Sequence, residues 1–175
     1  MPSLPFENHL RFARSYVRRT MQQRRSDPAP DIKPAPHRPN PRDWSDERLT
    51  LSWLGHASVL LNIDGTWVLT DPVLEPRIGI GRGFAKVGPR RLVEPALRPS
   101  ELPPLDLVLL SHAHMDHTDL GTLRRIPAST PIVVQTGNRD LVRRFRQVHE
   151  LAWGDHTDVA GCEWSPRRYG TGEPA

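Results

Sequence analysis

Ser111–Asp119 reads Ser-His-Ala-His-Met-Asp-His-Thr-Asp, which places His112, His114, Asp116 and His117 within six residues. His112 and His114 are two apart, so in an extended segment their rings fall on one side and can chelate a single ion. Asp116 and His117 follow where the chain has begun to turn, so they can face a second ion a few ångströms away. Neutral imidazoles with a carboxylate suit zinc, and manganese or iron as well. Two ions roughly 3.5–4 Å apart can share a bridging hydroxide, a nucleophile available at neutral pH. A polar surface loop rich in histidine is the plainer alternative. Eight histidines in 175 residues would rarely put three so close together, directly after an apolar strand and with an acid between them.

The loop needs a rigid mount. Asp106–Leu110 reads as a buried strand that runs straight into it. Upstream, Leu49, Leu51 and Trp53 alternate with polar residues, as on a half-buried strand. Ala57–Ile63 and Thr66–Thr70 read as two more strands, joined by Asp64-Gly65, a strong two-residue hairpin signal. Asp71-Pro72 ends the third strand. Residues 72–104 are rich in Gly, Pro and Arg and read as a long loop with at most one helical turn. Downstream, Leu120–Ile126 suggests a short helix, Pro131–Gln135 a strand, and Asn138–Arg146 a helix with Leu141, Val142 and Phe145 inward. His149–Trp153 suggests a further short strand. Strands first, then alternating strands and helices, predict a mixed α/β layer structure, with the site at a strand end.

Composition bounds the rest. No stretch approaches the roughly 18 apolar residues of a membrane span, and the basic N-terminus lacks the apolar core of a secretory signal. A single cysteine, Cys162, excludes an internal disulfide and fits a reducing, cytoplasmic setting. Residues 1–45 hold nine Lys/Arg against four Asp/Glu, whereas the remainder holds fifteen against sixteen. The basicity therefore belongs to an arm: a short helix over residues 6–25, with Leu10, Ala13, Tyr16 or Val17, and Met21 near one face, then a Pro-rich linker from Asp27 to Pro41. That linker is expected to be extended and outside any sheet. The arm could be a solvated tail or a contact with anionic membrane or nucleic acid. The near-neutral body argues against an extensive nucleic-acid channel.

The pattern His-x-His-x-Asp-His after an apolar strand and Ser111 resembles the signature of the metallo-β-lactamase superfamily. Trp53-Leu54-Gly55-His56-Ala57, then Val59-Leu60-Leu61, resembles the first hairpin of one branch. That branch contains N-acylphosphatidylethanolamine phospholipase D-like and ascorbate-6-phosphate lactonase-like proteins. Thr70-Asp71-Pro72 resembles the same branch's turn. Val87-Gly88-Pro89-Arg90-Arg91 and Leu102-Pro103-Pro104-Leu105-Asp106 resemble the phospholipase D-like members more closely. The resemblance covers roughly residues 44–161. It implies His112 and His114 as ligands of one zinc, and Asp116 and His117 as ligands of a second, with manganese or iron as substitutes. Asp116 would also orient the attacking hydroxide. Asp71 would be either a carboxylate hydrogen-bonded behind the ligands or a turn-forming residue before proline. His56 would lie at the cleft edge or serve as a structural histidine at a strand bend. His149 and His156 match no family ligand and are taken as surface residues. The implied substrate is a small molecule or lipid with a phosphodiester or ester-like bond.

A full family member is a four-layer αββα sandwich of two βα halves, and the second half brings another His, a bridging Asp and a final His. The expectation here is the N-terminal half alone: an arm over 1–45, a partial domain over 46–161 and an irregular tail over 162–175. Half a sandwich leaves one sheet face uncovered and each ion with two protein ligands, so this chain is expected to be weakly active or inactive. In one codon choice, residues 169–173 read in a displaced phase give Arg-His-Trp-Arg. That resembles the family's Pro-Ala-Arg-His-Trp segment and suggests a frameshift. Rival readings are a non-catalytic fragment or half of a split enzyme that binds a membrane or partner chain, and a nuclease-type member of the superfamily.

Overall fold

The computed structural model describes Arg18, residues 31–79 and residues 86–166. The helix expected over 6–25 and the far tail from 167 onward lie outside the described residues, apart from Arg18. A mixed sheet of six strands runs in sequence order: β1 (Thr50–Gly55), β2 (Ser58–Ile63), β3 (Thr66–Thr70), β4 (Leu107–Leu109), β5 (Ile132–Gln135) and β6 (Val148–Leu151). β1 to β3 form an antiparallel meander, and β3 to β6 pair in parallel. Asp64 and Gly65 turn β2 into β3 with φ of 48° and 89°, the left-handed pair that a tight hairpin requires.

Each parallel pair needs a crossover, and these crossovers pack on one side of the sheet. Leu54, Leu60, Leu69, Val108, Ile132 and Val134 from the strands meet Ala96, Leu97, Leu123, Ile126, Val142 and Phe145 from the connections in one buried cluster. The other face carries a smaller cluster of Val68, Leu107, Val133 and Leu151. A hairpin of β7 (Thr157–Val159) and β8 (Cys162–Trp164) packs Val159 and Trp164 on it.

Several expectations change. Leu49, Leu51 and Trp53 are 60%, 60% and 64% exposed, so their alternation marks the outer face of the sheet and not a half-buried one. Leu51 sits opposite Leu61 and Trp53 opposite Val59, which makes this end of the outer face a continuous apolar strip. The helix expected over 120–126 is α1 (Leu120–Leu123). The one expected over 138–146 is a 3-10 turn over Arg139–Val142, although Val142 and Phe145 point inward as read. Residues 162–164, expected to be irregular, form β8.

The Pro-rich linker is extended but not free of pairing. Lys33 N–H donates to the Leu92 carbonyl at 2.9 Å, and Glu94 N–H donates to the Lys33 carbonyl at 2.8 Å. Trp44 stacks on Trp67 with ring centres 5.3 Å apart. These contacts hold the described part of the linker to the body.

Candidate metal centre

The site sits where β3 and β4 end, side by side and parallel. β3 delivers Asp71 and β4 delivers Ser111, at the carboxyl ends of the strands where open α/β sheets place their ligands. Asp71 has a φ of 37°, an uncommon left-handed conformation for a residue before proline. Its backbone N–H donates to the Leu109 carbonyl at 2.9 Å. Its Oδ1 accepts from the Ser111 N–H at 2.8 Å, and its Oδ2 from the Ser111 hydroxyl at 2.7 Å. Asp71 is thus both turn and clamp. Beyond Ser111 the chain turns: His117 N–H and Thr118 N–H both donate to the His114 carbonyl, at 2.9 and 2.7 Å. The Thr118 hydroxyl donates to the His112 carbonyl at 2.8 Å and closes the loop.

All six residues marked from the sequence come together. His117 Nδ1 lies 2.8 Å from Asp71 Oδ2, so the carboxylate holds the proton on Nδ1 and leaves the Nε2 lone pair free. The Ser111 hydroxyl donates to Asp71, so at 2.9 Å from His112 Nδ1 it acts as acceptor. That puts His112's proton on Nδ1 and turns a bare Nε2 toward His114 Nδ1, 3.1 Å away. The rings of His112 and His117 are 4.1 Å apart. Asp116 Oδ2 lies 3.9 Å from His117 Nε2 and 3.8 Å from His56 Nε2, which places His56 at the edge of the same cluster. Burial, then the neighbouring His117 and His114, push the His112 pKa down, which favours the neutral, donor-competent ring.

The donor set fits divalent ions as two pairs. Ligands about 2.0–2.1 Å from a tetrahedral ion stand roughly 3.3 Å apart, close to the His112–His114 spacing of 3.1 Å. Asp116 and His117 form the wider pair. Among the described residues, no three His, Cys, Asp or Glu side chains converge as one ligand group. His149 is half-buried, with Nδ1 3.5 Å from the Thr157 hydroxyl, and His156 is exposed. Neither joins the cluster.

Behind the loop lies a second, buried assembly that sequence reading missed. Asp119 caps α1: its Oδ1 accepts from the Gly121 N–H at 3.0 Å, and its Oδ2 from the Thr122 hydroxyl at 2.8 Å. Lys86 is fully buried, with Nζ 2.6 Å from Asp119 Oδ1 and 3.4 Å from Glu75 Oε2. A Cβ on Gly121 would crowd the Glu75 carboxylate, so a larger residue there would push that side chain away from Lys86. Arg91 donates from Nε to the Glu75 carbonyl at 3.1 Å and from Nη2 to the Val73 carbonyl. Burial lowers its pKa even with Asp119 nearby. An Asp two residues before a Gly-Thr pair was a legible cap signal. Lys86, isolated in a Gly- and Arg-rich loop, left none.

The beta-lactamase superfamily domain matches residues 66–170, more than half of the chain and past the boundary at 161 drawn from sequence. The chain belongs to the metallo-β-lactamase superfamily. It is 36% identical over 127 residues to an uncharacterised protein of Mycobacterium tuberculosis, a match covering 69% of this chain and 33% of that protein. To N-acyl-phosphatidylethanolamine-hydrolyzing phospholipase D 1 of Caenorhabditis elegans it is 33% identical over 124 residues, covering 65% and 34%. The chain spans about a third of the length of the curated relatives it matches. Among solved structures, it is similar to a possible metal-dependent hydrolase from Veillonella parvula DSM 2008. That match has a TM-score of 0.51 and 26% identity, covering 66% of this chain and 45% of that one. An isothiocyanate hydrolase from Delia radicum gut bacteria matches with a TM-score of 0.50 and 26% identity, covering 63% and 44%.

Proposed function

We propose that His112, His114, Asp116 and His117 are the ligands of a dinuclear hydrolase centre, zinc by donor type, acting on a phosphodiester or ester-like bond. The observation that carries this is the arrangement of the ring nitrogens. His112 Nε2 faces His114 Nδ1 at 3.1 Å, while Asp71 pins the far nitrogen of His117 at 2.8 Å. Divalent ions at these donors supply a nucleophile from water at neutral pH and polarise the bond under attack. The chain's own residues do the rest. Asp71 orients His117 and, through Ser111, His112. Asp116, half-exposed between His56 and His117, is placed to orient the attacking water. The phosphodiester reading draws support from the phospholipase D relative.

Two donors per ion make for weak retention, so this polypeptide by itself binds metal loosely and turns over slowly. Among the described residues no helix is long and apolar enough to cross a membrane, and we place the protein in the cytoplasm on the cysteine usage alone. Calorimetric titration with zinc, beside a chromogenic phosphodiester assay, tests the reading. Weak, saturable binding that loses one ion of its stoichiometry in His112→Ala/His114→Ala is expected. A stoichiometry unchanged by the double substitution refutes the ligand assignment.

A further inference from the structure

The near-neutral body hides a polarised surface. Residues 120–147 hold six arginines and one acid, Asp140, while the rest of 46–175 holds nine basic and fifteen acidic residues. All six arginines are exposed, and they sit on the connections that cover one face of the sheet. Arg124, Arg143 and Arg144 rim a groove of about 310 Å³ whose floor includes Leu120, Leu123 and Phe145. Arg144 is fixed there: its Nη1 donates to the carbonyls of Leu123 and, at 2.8 Å, Ile126. Asp140 also lines the groove but is in no ion pair among the described residues. Of the six arginines, Glu75 comes within ion-pair distance of Arg125 alone, at 4.0 Å. Among the described residues Arg124 and Arg143 therefore make no ion pair, and arginines outnumber the one carboxylate of the groove three to one.

We propose that this groove docks the protein on an anionic phospholipid surface, with the arginines taking headgroup phosphates. Guanidinium forks match phosphate oxygens in two-point contacts. Their stems and the apolar floor suit the glycerol and upper acyl region beneath. Nucleic acid is the poorer fit, because single strands need exposed aromatic platforms. The one aromatic of residues 120–147, Phe145, is buried at 4% exposure. α1 follows the histidine loop directly, so a membrane held here lies alongside the metal centre. This contact is separate from the basic arm and needs neither metal nor turnover, so it stands or falls apart from the hydrolase reading.

The test is co-sedimentation of the full chain, arm included, with phosphatidylcholine vesicles with and without phosphatidylserine. Binding should require phosphatidylserine and weaken with salt. Arg124→Gln/Arg143→Gln should reduce vesicle affinity on the order of twentyfold, at about fivefold per basic residue near an anionic surface. Arg124→Lys/Arg143→Lys, which keeps the charge, should retain most of it and shows that the pair of positions tolerates substitution. Affinity unchanged in the Gln pair would mean that the arm alone binds, and the proposal fails. It also fails if the parent chain ignores phosphatidylserine. Loss of single-stranded RNA binding in the Gln pair, with vesicle binding intact, overturns it in favour of nucleic acid.

Discussion

Thr118 separates two clusters of ionisable side chains. On one side, Lys86 is enclosed by Glu75 and Asp119, with all three side chains no more than 8% exposed. On the other, His112, His114, Asp116 and His117 stay within reach of solvent. The inner cluster is saturated: Asp119 alone accepts from Lys86, Gly121 and Thr122. The outer one is saturated only at its base, where Asp71 engages Ser111 and His117. At its upper edge the His112 and His114 ring nitrogens have only each other, 3.1 Å apart. Groups of similar chemistry therefore serve different ends. Complete pairing makes a mount, and incomplete pairing makes a binding site.

Breaking the mount should have the largest effect. Asp119→Ala removes the nearer of the two carboxylates beside the buried Lys86 ammonium and the cap of α1. A loss of about 3–5 kcal/mol is expected, read as a lower midpoint in urea unfolding, with a smaller loss for Asp119→Asn. If Asp119→Ala unfolds at the parent midpoint, the inner cluster is not structural and the contrast collapses.

The outer cluster should respond in the opposite manner. Asp71→Asn keeps the shape but loses the charge that holds His117 in its tautomer, so zinc affinity should fall by about 10–100-fold. His112→Ala/His114→Ala should abolish the first pair of donors while leaving the urea midpoint nearly unchanged, since both side chains are solvent-accessible. Calorimetry and unfolding on the same samples separate the two quantities. A double variant that loses stability as severely as Asp119→Ala would show the histidines to be part of the mount.

The sequence made one of these clusters visible and not the other, for a physical reason. Ligand loops are local: four donors within six residues announce themselves by spacing. Asp71 lies 40 residues from Ser111, and it was legible only through the resemblance of Thr70-Asp71-Pro72 to the family's turn. The inner cluster joins 75, 86 and 119, and nothing in the spacing of a loop predicts which lysine folds inward. The strands themselves, and the hairpin joining two of them, were readable from apolar runs and one turn signal. The faces were not: the alternation of Leu49, Leu51 and Trp53 has the same period whether it points in or out. The segment 138–146 has helical spacing, but only Arg139–Val142 turns, and as a 3-10 turn. Its inward residues are satisfied without a longer helix.

A third ionic cluster, fully at the surface, calibrates the comparison at its weak end. Arg38 Nη2 donates to both carboxylate oxygens of Glu101, at 2.9 and 2.8 Å. Glu101 Oε2 also accepts from the Arg98 N–H at 2.7 Å. The backbone N–H of Arg98 is the main cause of the lowered Glu101 pKa, followed by the charge of Arg38. A carboxylate whose folded pKa is depressed contributes stability above its unfolded value, and that contribution is lost as pH falls through the folded one. Glu101→Gln should thus cost about 0.5 kcal/mol at neutral pH. The difference from the parent should vanish in acid, below the ordinary carboxylate range, and shrink with added salt at neutral pH. Parallel urea titrations at neutral and acid pH read it directly. A loss approaching that of Asp119→Ala would mean that the linker contact, and not burial of the charge, sets the strength of such clusters in this fold.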